Sequence, residues 1–269
     1  MNRAVPSPSD STTRALRALR SEPPPGFAGR VLARVGLVEP DRFVRVDSPA
    51  GPLFVAFNSV GVCHVLVAAV VDDDPQRFVA RHEARFGRPA TPADHPPAGL
   101  VTAARTSRGR QLRYDLRGLT DFEQAVLGAA LDIPPGEVRP YQWVAEQIGR
   151  HKAVRAVGTA LGRNPIPVLI PCHRVIRSDG QPGDYGYGPQ LKQHLLTHEG
   201  VDLARTERLA RAGIRYIGSD TTHVYCLPTC HAALRITAPH LVPFRSPEQA
   251  GVAGYRPCEQ CRPTPAKTA

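Results

Sequence analysis

The sequence has no long apolar run. Its longest, Val65 to Val71, falls far short of the ~20 residues a membrane-crossing helix needs, so no membrane association is expected. The first residues carry Arg and Pro but no apolar signal core, so nothing marks the chain for export and the cytoplasm is the expected compartment. In that reducing setting the six cysteines are expected as thiols, thiolates or metal ligands and not as disulfides. A glycine-rich nucleotide-binding motif is also missing, so no organic cofactor is expected.

What is present is basic charge. Lys and Arg number 34 against 24 Asp and Glu, a net charge of +10 over 269 residues. A surplus of that size favours a polyanionic partner, nucleic acid first, although a GC-rich coding bias toward Arg would give the same balance. The length suits two modules, and a hydrophobic share of 42% is enough for a packed core.

Residues 1–40 read as a partly disordered N-terminal extension, with two short helices on either side of Pro23-Pro24-Pro25. From Phe43 the pattern is β. Phe43 to Val46, then Leu53, Val55 and Phe57 alternating on one face, then Val62 to Val71 predict an antiparallel meander. Asp72-Asp73-Asp74-Pro75 predicts the cap of a helix running to Phe86, residues 87–99 read as a loop, and Gln111 to Leu116 as a further short strand. Thr120 and Glu123 have capping-box spacing ahead of Phe122, Val126, Leu127 and Ala130 on one helical face. Helices at Tyr141 to Ile148 and Ala153 to Leu161 about Gly149-Arg150 suggest a helix-turn-helix, and Leu191 to Glu199 another helix. The fold class expected is α+β: a small antiparallel β subdomain over 41–117, a helical catalytic helix-turn-helix domain over 118–202, a linker over 203–214, a small four-cysteine module over 215–263 and a tail over 264–269.

Two clusters carry chemistry. In Asn164-Pro165-Ile166-Pro167-Val168-Leu169-Ile170-Pro171-Cys172-His173-Arg174-Val175, three prolines hold Cys172 in an extended, partly buried setting. A neighbouring His and Arg favour the reactive thiolate, and His173 can take the thiol proton directly or through a water. Glu199 is a candidate to orient that imidazole. On the residues alone, a buried structural cysteine beside a surface histidine is the commoner outcome. The second cluster is Cys226-x3-Cys230 and Cys258-x2-Cys261. It predicts a four-cysteine zinc site, with disulfides or free thiols as the competing reading and His223 and His231 near enough to be alternative ligands, in a short, Pro-rich segment too poor in large apolar side chains to fold on its own core. Cys63, inside the meander, reads as a small core residue.

The string around Cys172 resembles the active-site segment of the O6-alkylguanine-DNA alkyltransferases, and the resemblance runs from about Phe43 to Gly200. It implies that Cys172 is the alkyl acceptor, His173 its water-linked base and Glu199 the end of the relay. It implies that Arg155 fills the gap left by a flipped nucleotide, Tyr141 crowds the phosphate that must rotate, Asn164 is the hinge to the active-site loop and Tyr185 is a lid donor to the lesion base. Val175 and Pro167 are expected on the substrate, and Ala153, Ala156, Gly158 and Arg174 at the DNA. Small residues on the helix from Ala153 to Leu161 suit a backbone brought close to a minor groove, and a base cannot meet a buried sulfur without leaving the stack. Where many relatives have Ser or Trp after the lid aromatic, this chain reads Asp184-Tyr185-Gly186-Tyr187-Gly188.

Residues 215–263, with Tyr216-Ile217-Gly218-Ser219 and Ala253-Gly254-Tyr255-Arg256-Pro257 among them, resemble the metal-binding domain of the Ada adaptive-response family. That resemblance implies zinc on all four cysteines and makes Cys226 a second acceptor, from methylphosphotriesters. His223 stands where relatives often have Gly, the module follows the alkyltransferase instead of preceding it, and no AraC-type DNA-binding domain is visible. The function expected is therefore single-turnover repair of alkylated guanine in double-stranded DNA, by a nucleoid-associated monomer. The competing reading is a non-enzymatic damage sensor, against which Cys172 itself argues.

Overall fold

A computed structural model of the chain describes residues 39–263, with isolated positions 27, 31 and 35 before them. The expectations for residues 1–38 and for the tail at 264–269 lie outside the described residues.

Strands β1 (Asp41–Val46), β2 (Leu53–Phe57) and β3 (Val62–Val67) form the antiparallel meander. Alternation sends Val44, Val46, Leu53, Val55, Val65 and Val67 to the main core and Phe43, Phe54 and Cys63 to the other face. Helix α1 (Pro75–Phe86) covers that second face, stacking Phe78 on Phe54 at 5.2 Å. Asp74 caps it by accepting from the Gln76 amide, and Gly87 ends it at φ 67°.

Three local readings are corrected. The third strand stops at Val67, because a 3-10 turn at Ala68–Val71 buries Ala68 and Val71 and swings the chain back to lay α1 on the sheet. Within the expected loop at 87–99, Ala90–Pro92 forms β4, parallel to β1, which completes the sheet order β3-β2-β1-β4. Gln111 to Leu116 is not a strand: a 3-10 turn covers Gly109–Gln111 and only Tyr114 bridges to Val62, since helix α2 (Leu100–Thr106) already fills that side of the core.

Helix α3 (Asp121–Leu131) opens with the full capping box of Thr120 and Glu123. The short strand β5 (Arg139–Pro140) leads directly into α4 (Tyr141–Gln147), and α5 (Val154–Gly162) follows the turn at Gly149. β5 pairs in parallel with β6 (Val175–Ile176). That ladder brings the start of the helix pair beside the Cys172 turn. Helices α6 (Pro189–His198) and α7 (Leu203–Arg211) complete this part.

The C-terminal module is built on β7 (Tyr216–Ser219), β8 (Val224–Cys226), β9 (Leu241–Phe244) and β10 (Arg256–Pro257), in the order β10-β8-β7-β9, with the short helices α8 (His231–Leu234) and α9 (Pro247–Val252). A Cβ at Gly218 would lie 2.7 Å from the rings of Phe244 and Tyr255, so only glycine fits there. The whole is a mixed α+β architecture with a buried cysteine cluster at its C-terminal end.

Candidate active site and metal centre

Cys172 opens a 3-10 turn, Cys172–Arg174, at the end of the proline-rich loop, and is 7% exposed. Asn164, which follows α5, fixes the loop from both ends. Its Nδ2 donates to Ile170 O at 2.9 Å and to Cys172 Sγ at 3.2 Å, while its Oδ1 accepts from the Ile166 amide. Val168, a β-branched residue, sits at φ 71° within this loop, a left-handed backbone held there by its buried surroundings.

Behind the sulfur, His173 Nε2 meets Glu199 Oε1 at 2.9 Å. Glu199 also accepts from Arg174 Nε at 2.8 Å and from its second terminal nitrogen at 2.9 Å. Burial alone would raise Glu199, yet the hydrogen bonds from His173 and Arg174 hold it down at about 2, so it is a carboxylate throughout the neutral range. Burial pushes His173 down against the pull of Glu199, and pushes the Cys172 thiol up against the pulls of Asn164 and Lys192. The resting pair is therefore a neutral thiol and a neutral imidazole. His173 Nδ1 and the Tyr185 hydroxyl are buried without a protein hydrogen-bond partner. With Nε2 engaged by Glu199, Nδ1 is the nitrogen left to receive a proton.

The sulfur lies on the wall of a cavity of about 580 Å³. Tyr141, Arg155, Gly158, Asn164, Pro167 and Tyr185 line it as well, so helix pair, hinge and lid converge on one space. Arg155 and Ala156 are exposed on α5, while Ala153 is half-buried just before it. Tyr185 stands edge-on to His173 at 6.4 Å and beside Tyr187 at 5.7 Å.

Two expected roles are corrected. Arg174 is 2% exposed and cannot reach a phosphate. Beyond Glu199 it donates to Ile133 O and Ser107 O, both at 2.6 Å, so it anchors the relay. The side chain of Val175 is buried in the core, and its carbonyl accepts from Lys192. Lys192 itself escaped the sequence reading. It is a lone Lys on an unremarkable helix, yet its Nζ donates to Val175 O at 2.7 Å and Asp184 O at 3.3 Å and lies 5.8 Å from the centre of the Tyr141 ring. Burial pushes it down to about 8.

In the C-terminal module, the parallel pairing of Pro257 with Tyr225 sets Cys258 beside Cys226. The sulfurs of Cys226, Cys230, Cys258 and Cys261 all lie within 4.8 Å of one another, buried and free of disulfides. Four soft donors at that spacing fit zinc. His223 adopts φ 51°, a left-handed position that explains why glycine also suits it. A second set, Asp41, Cys63 and His82, is as tightly gathered. There Arg88 already supplies the cation, donating to Asp41 Oδ2 at 2.9 Å.

A fold that places a cysteine, a histidine and a carboxylate behind a helix-turn-helix, with a four-cysteine module attached, defines a class of DNA-acting thiol proteins. The family described as the 6-O-methylguanine DNA methyltransferase, DNA binding domain, matches residues 121–201, and the metal binding domain of Ada matches 203–264. The methylated-DNA–protein-cysteine methyltransferase of Mycobacterium bovis is 36% identical over 154 residues, covering 57% of this chain and 89% of that protein. The bifunctional transcriptional activator/DNA repair enzyme Ada of Escherichia coli is 37% identical over 174 residues, covering 61% of this chain but only 47% of Ada, so the match spans about half of that relative. The crystal structure of Mycobacterium tuberculosis OGT in complex with DNA matches 62% of this chain and 98% of that one, at 33% identity and a TM-score of 0.47. The chain belongs to the methylated-DNA–protein-cysteine methyltransferase family and carries a zinc-binding module of the Ada type.

Proposed function

We propose that this chain moves an alkyl group from O6-alkylguanine in double-stranded DNA to Cys172 Sγ, irreversibly and once per molecule. The observation that carries this reading is the sulfur on the wall of the 580 Å³ cavity, with the His173–Glu199 pair behind it and Arg155 on its rim. A base inside a duplex cannot enter such a space, so the nucleotide must rotate out, at a cost of a few kcal/mol that an inserted Arg155 helps offset.

The thiol proton passes toward His173 Nδ1, and Glu199 stabilises the charge that arrives on the ring. Sγ then attacks the alkyl carbon. The carbon–O6 bond breaks and its electrons go to guanine, which takes back one proton and leaves as normal guanine. The Tyr185 hydroxyl, free of protein partners, is suited to donate toward O6. The product is a thioether that no group in the cavity can cleave, which favours a single turnover by a monomer working at the DNA of the cytoplasm.

A second reading concerns Cys226. It lines a separate cavity of about 310 Å³ with Thr221, Thr222, Arg235 and His240, a polar setting suited to a phosphate ester. Zinc, when bound, keeps the sulfur deprotonated and nucleophilic.

One experiment tests both readings. The chain is treated with duplex DNA carrying O6-methylguanine and methylphosphotriesters, and its peptides are weighed. One added methyl on the Cys172 peptide, absent in Cys172→Ala, is expected. Binding without any methylated cysteine would favour a damage sensor, and an unmodified Cys226 would leave that residue to zinc alone.

A further inference from the structure

The zinc module packs against the alkyltransferase through the residues that hold its metal. Thr229, just before Cys230, exchanges a reciprocal pair of hydrogen bonds with Val138: its Oγ1 accepts from the Val138 amide at 3.0 Å and donates to the Val138 carbonyl at 2.9 Å. The amide of His231, just after Cys230, donates to Glu137 Oε1 at 2.9 Å. The indole Nε1 of Trp143 donates to Cys261 O at 3.0 Å and Arg262 O at 2.9 Å. Arg262, turned to φ 44°, reaches back to Asp132 Oδ2 at 2.9 Å. Every one of these module groups belongs to a zinc ligand or to its immediate neighbour. Glu137, Val138 and Trp143 flank Tyr141, which lines the cavity and starts the helix-turn-helix.

The apolar packing is continuous as well. Cys226, Leu227, Cys230, Ala233, Cys258 and Cys261 share one core with Trp143, Val144 and Val157. The four sulfurs converge within 4.8 Å with no disulfide among them, so a metal bound there would be the one link tying the two cysteine loops together. Whatever fixes those loops also fixes the acceptors that α4 uses.

We propose that metal loading of the Cys226–Cys230–Cys258–Cys261 cluster holds β5 and α4 in place, so that the zinc module is a structural part of the alkyltransferase site. The proposal rests on the reading of Cys172 and Tyr141 given above. It makes the module a prop for the helix-turn-helix, whatever Cys226 does chemically. Without metal the Trp143 indole loses both of its acceptors, Val138 loses the Thr229 hydroxyl, and Tyr141 loses its fixed position over Lys192.

Trp143 is the only tryptophan in the sequence and so reports on this contact directly. The full chain is stripped of zinc with a chelator under reducing conditions, and four newly reactive thiols confirm removal. Three quantities are then read: Trp143 emission, amide exchange across the chain, and the single-turnover rate at Cys172. The expected result is a red-shifted emission, at least tenfold faster exchange over 138–147 with the 43–67 sheet unchanged, and at least tenfold slower transfer, all restored by zinc. Unchanged emission and exchange in the demetallated chain would overturn the proposal. Thr229→Val keeps the size of the side chain, and with zinc shown to be bound it should also speed exchange at Val138 and in α4. If those amides stay as protected as in the unaltered chain, the proposal falls, even where the metal-free chain has unfolded throughout. If the zinc-loaded chain never methylates Cys172, the functional reading fails, while emission and exchange still decide the coupling.

Discussion

Replacing Glu199 by Gln removes the one anion that His173 and Arg174 share. Its carboxylate is held at about 2 against an ordinary 4.5. That gap of about 2.5 on the pH scale, at about 1.36 kcal/mol each, corresponds to about 3 kcal/mol of stability. Removing one partner of a buried ion pair costs about 3–5 kcal/mol by comparison with other proteins, so two separate routes agree. Gln keeps one acceptor oxygen, which points to the lower end. Because the folded-state pKa is depressed, the contribution is fully present above about 4.5 and is lost as the pH falls toward 2. Urea unfolding followed by Trp143 fluorescence should show Glu199→Gln about 3 kcal/mol less stable at neutral pH, with less than about half of that difference left near pH 3. Equal stabilities at neutral pH, or a difference that persists undiminished in acid, would refute the reasoning. Transfer to Cys172 should also slow by roughly 10²–10⁴-fold, the usual worth of a positioned base.

Other outcomes follow from the same geometry. Burial raises the Cys172 thiol above its ordinary 9.0 and lowers His173 below its ordinary 6.5, so the neutral pair persists between those values. The transfer rate should therefore be flat there and fall only in more acid solution as His173 takes up a proton; a rate that climbs steadily through that range would mean that a free thiolate, and not a thiol assisted by His173, attacks. Arg155→Ala should slow repair of duplex DNA about tenfold or more while leaving transfer from the free O6-alkylguanine base unchanged, and equal losses on both substrates would remove Arg155 from base extrusion. Lys192→Met keeps most of the length but strands the Val175 and Asp184 carbonyls, at about 1–3 kcal/mol in stability. It should also raise the pH at which the Cys172 thiol ionises, read by thiolate absorbance, because the Lys192 charge is one of the groups pulling that thiol down.

Local signals in the sequence were legible where the chain is their own context. Asp74 before Pro75 and Thr120 before Glu123 give helix starts because cap and capped amide lie within three residues. The meander was readable through Leu53, Val55 and Val65, but the neighbouring Phe54 and Cys63 are equally buried, so alternation could not say that α1 covers the other face. The site was only half legible. Cys172 and His173 are adjacent, whereas Glu199 arrives from the end of α6, and although it was a candidate no local pattern said that it folds back onto His173. Arg174 was expected at the DNA and Lys192 drew no role at all, because nothing local announces that a buried carboxylate or a pair of backbone carbonyls waits for them. The role of Trp143 was invisible for the same reason: its partners lie more than a hundred residues away.

The basic surplus that first pointed to nucleic acid is not located where that inference would put it. Over residues 119–202, which contain the helix-turn-helix, there are eight Lys and Arg against nine Asp and Glu. Arg139, Arg174 and Lys192 are buried. Arg163 lies 3.6 Å from Glu123, and Arg177 pairs with Asp179 at 2.8 Å. Exposed cations without a carboxylate partner in this segment come down to Arg150, Lys152 and Arg155. If the helix pair alone meets the phosphates, binding to undamaged duplex should weaken with salt at a log–log slope of about −3, from roughly 0.9 per neutralised phosphate. Titrations over a range of salt concentrations measure that slope directly. A value of about −6 or steeper would place further phosphate contacts outside the helix pair, with the arginines of the N-terminal sheet and its covering helix α1, or those of the zinc module, as the candidates. Charge-reversal of Arg235 or Arg256 against Arg42 or Arg81 would then tell which, and a footprint confined to the face of the helix pair would be wrong.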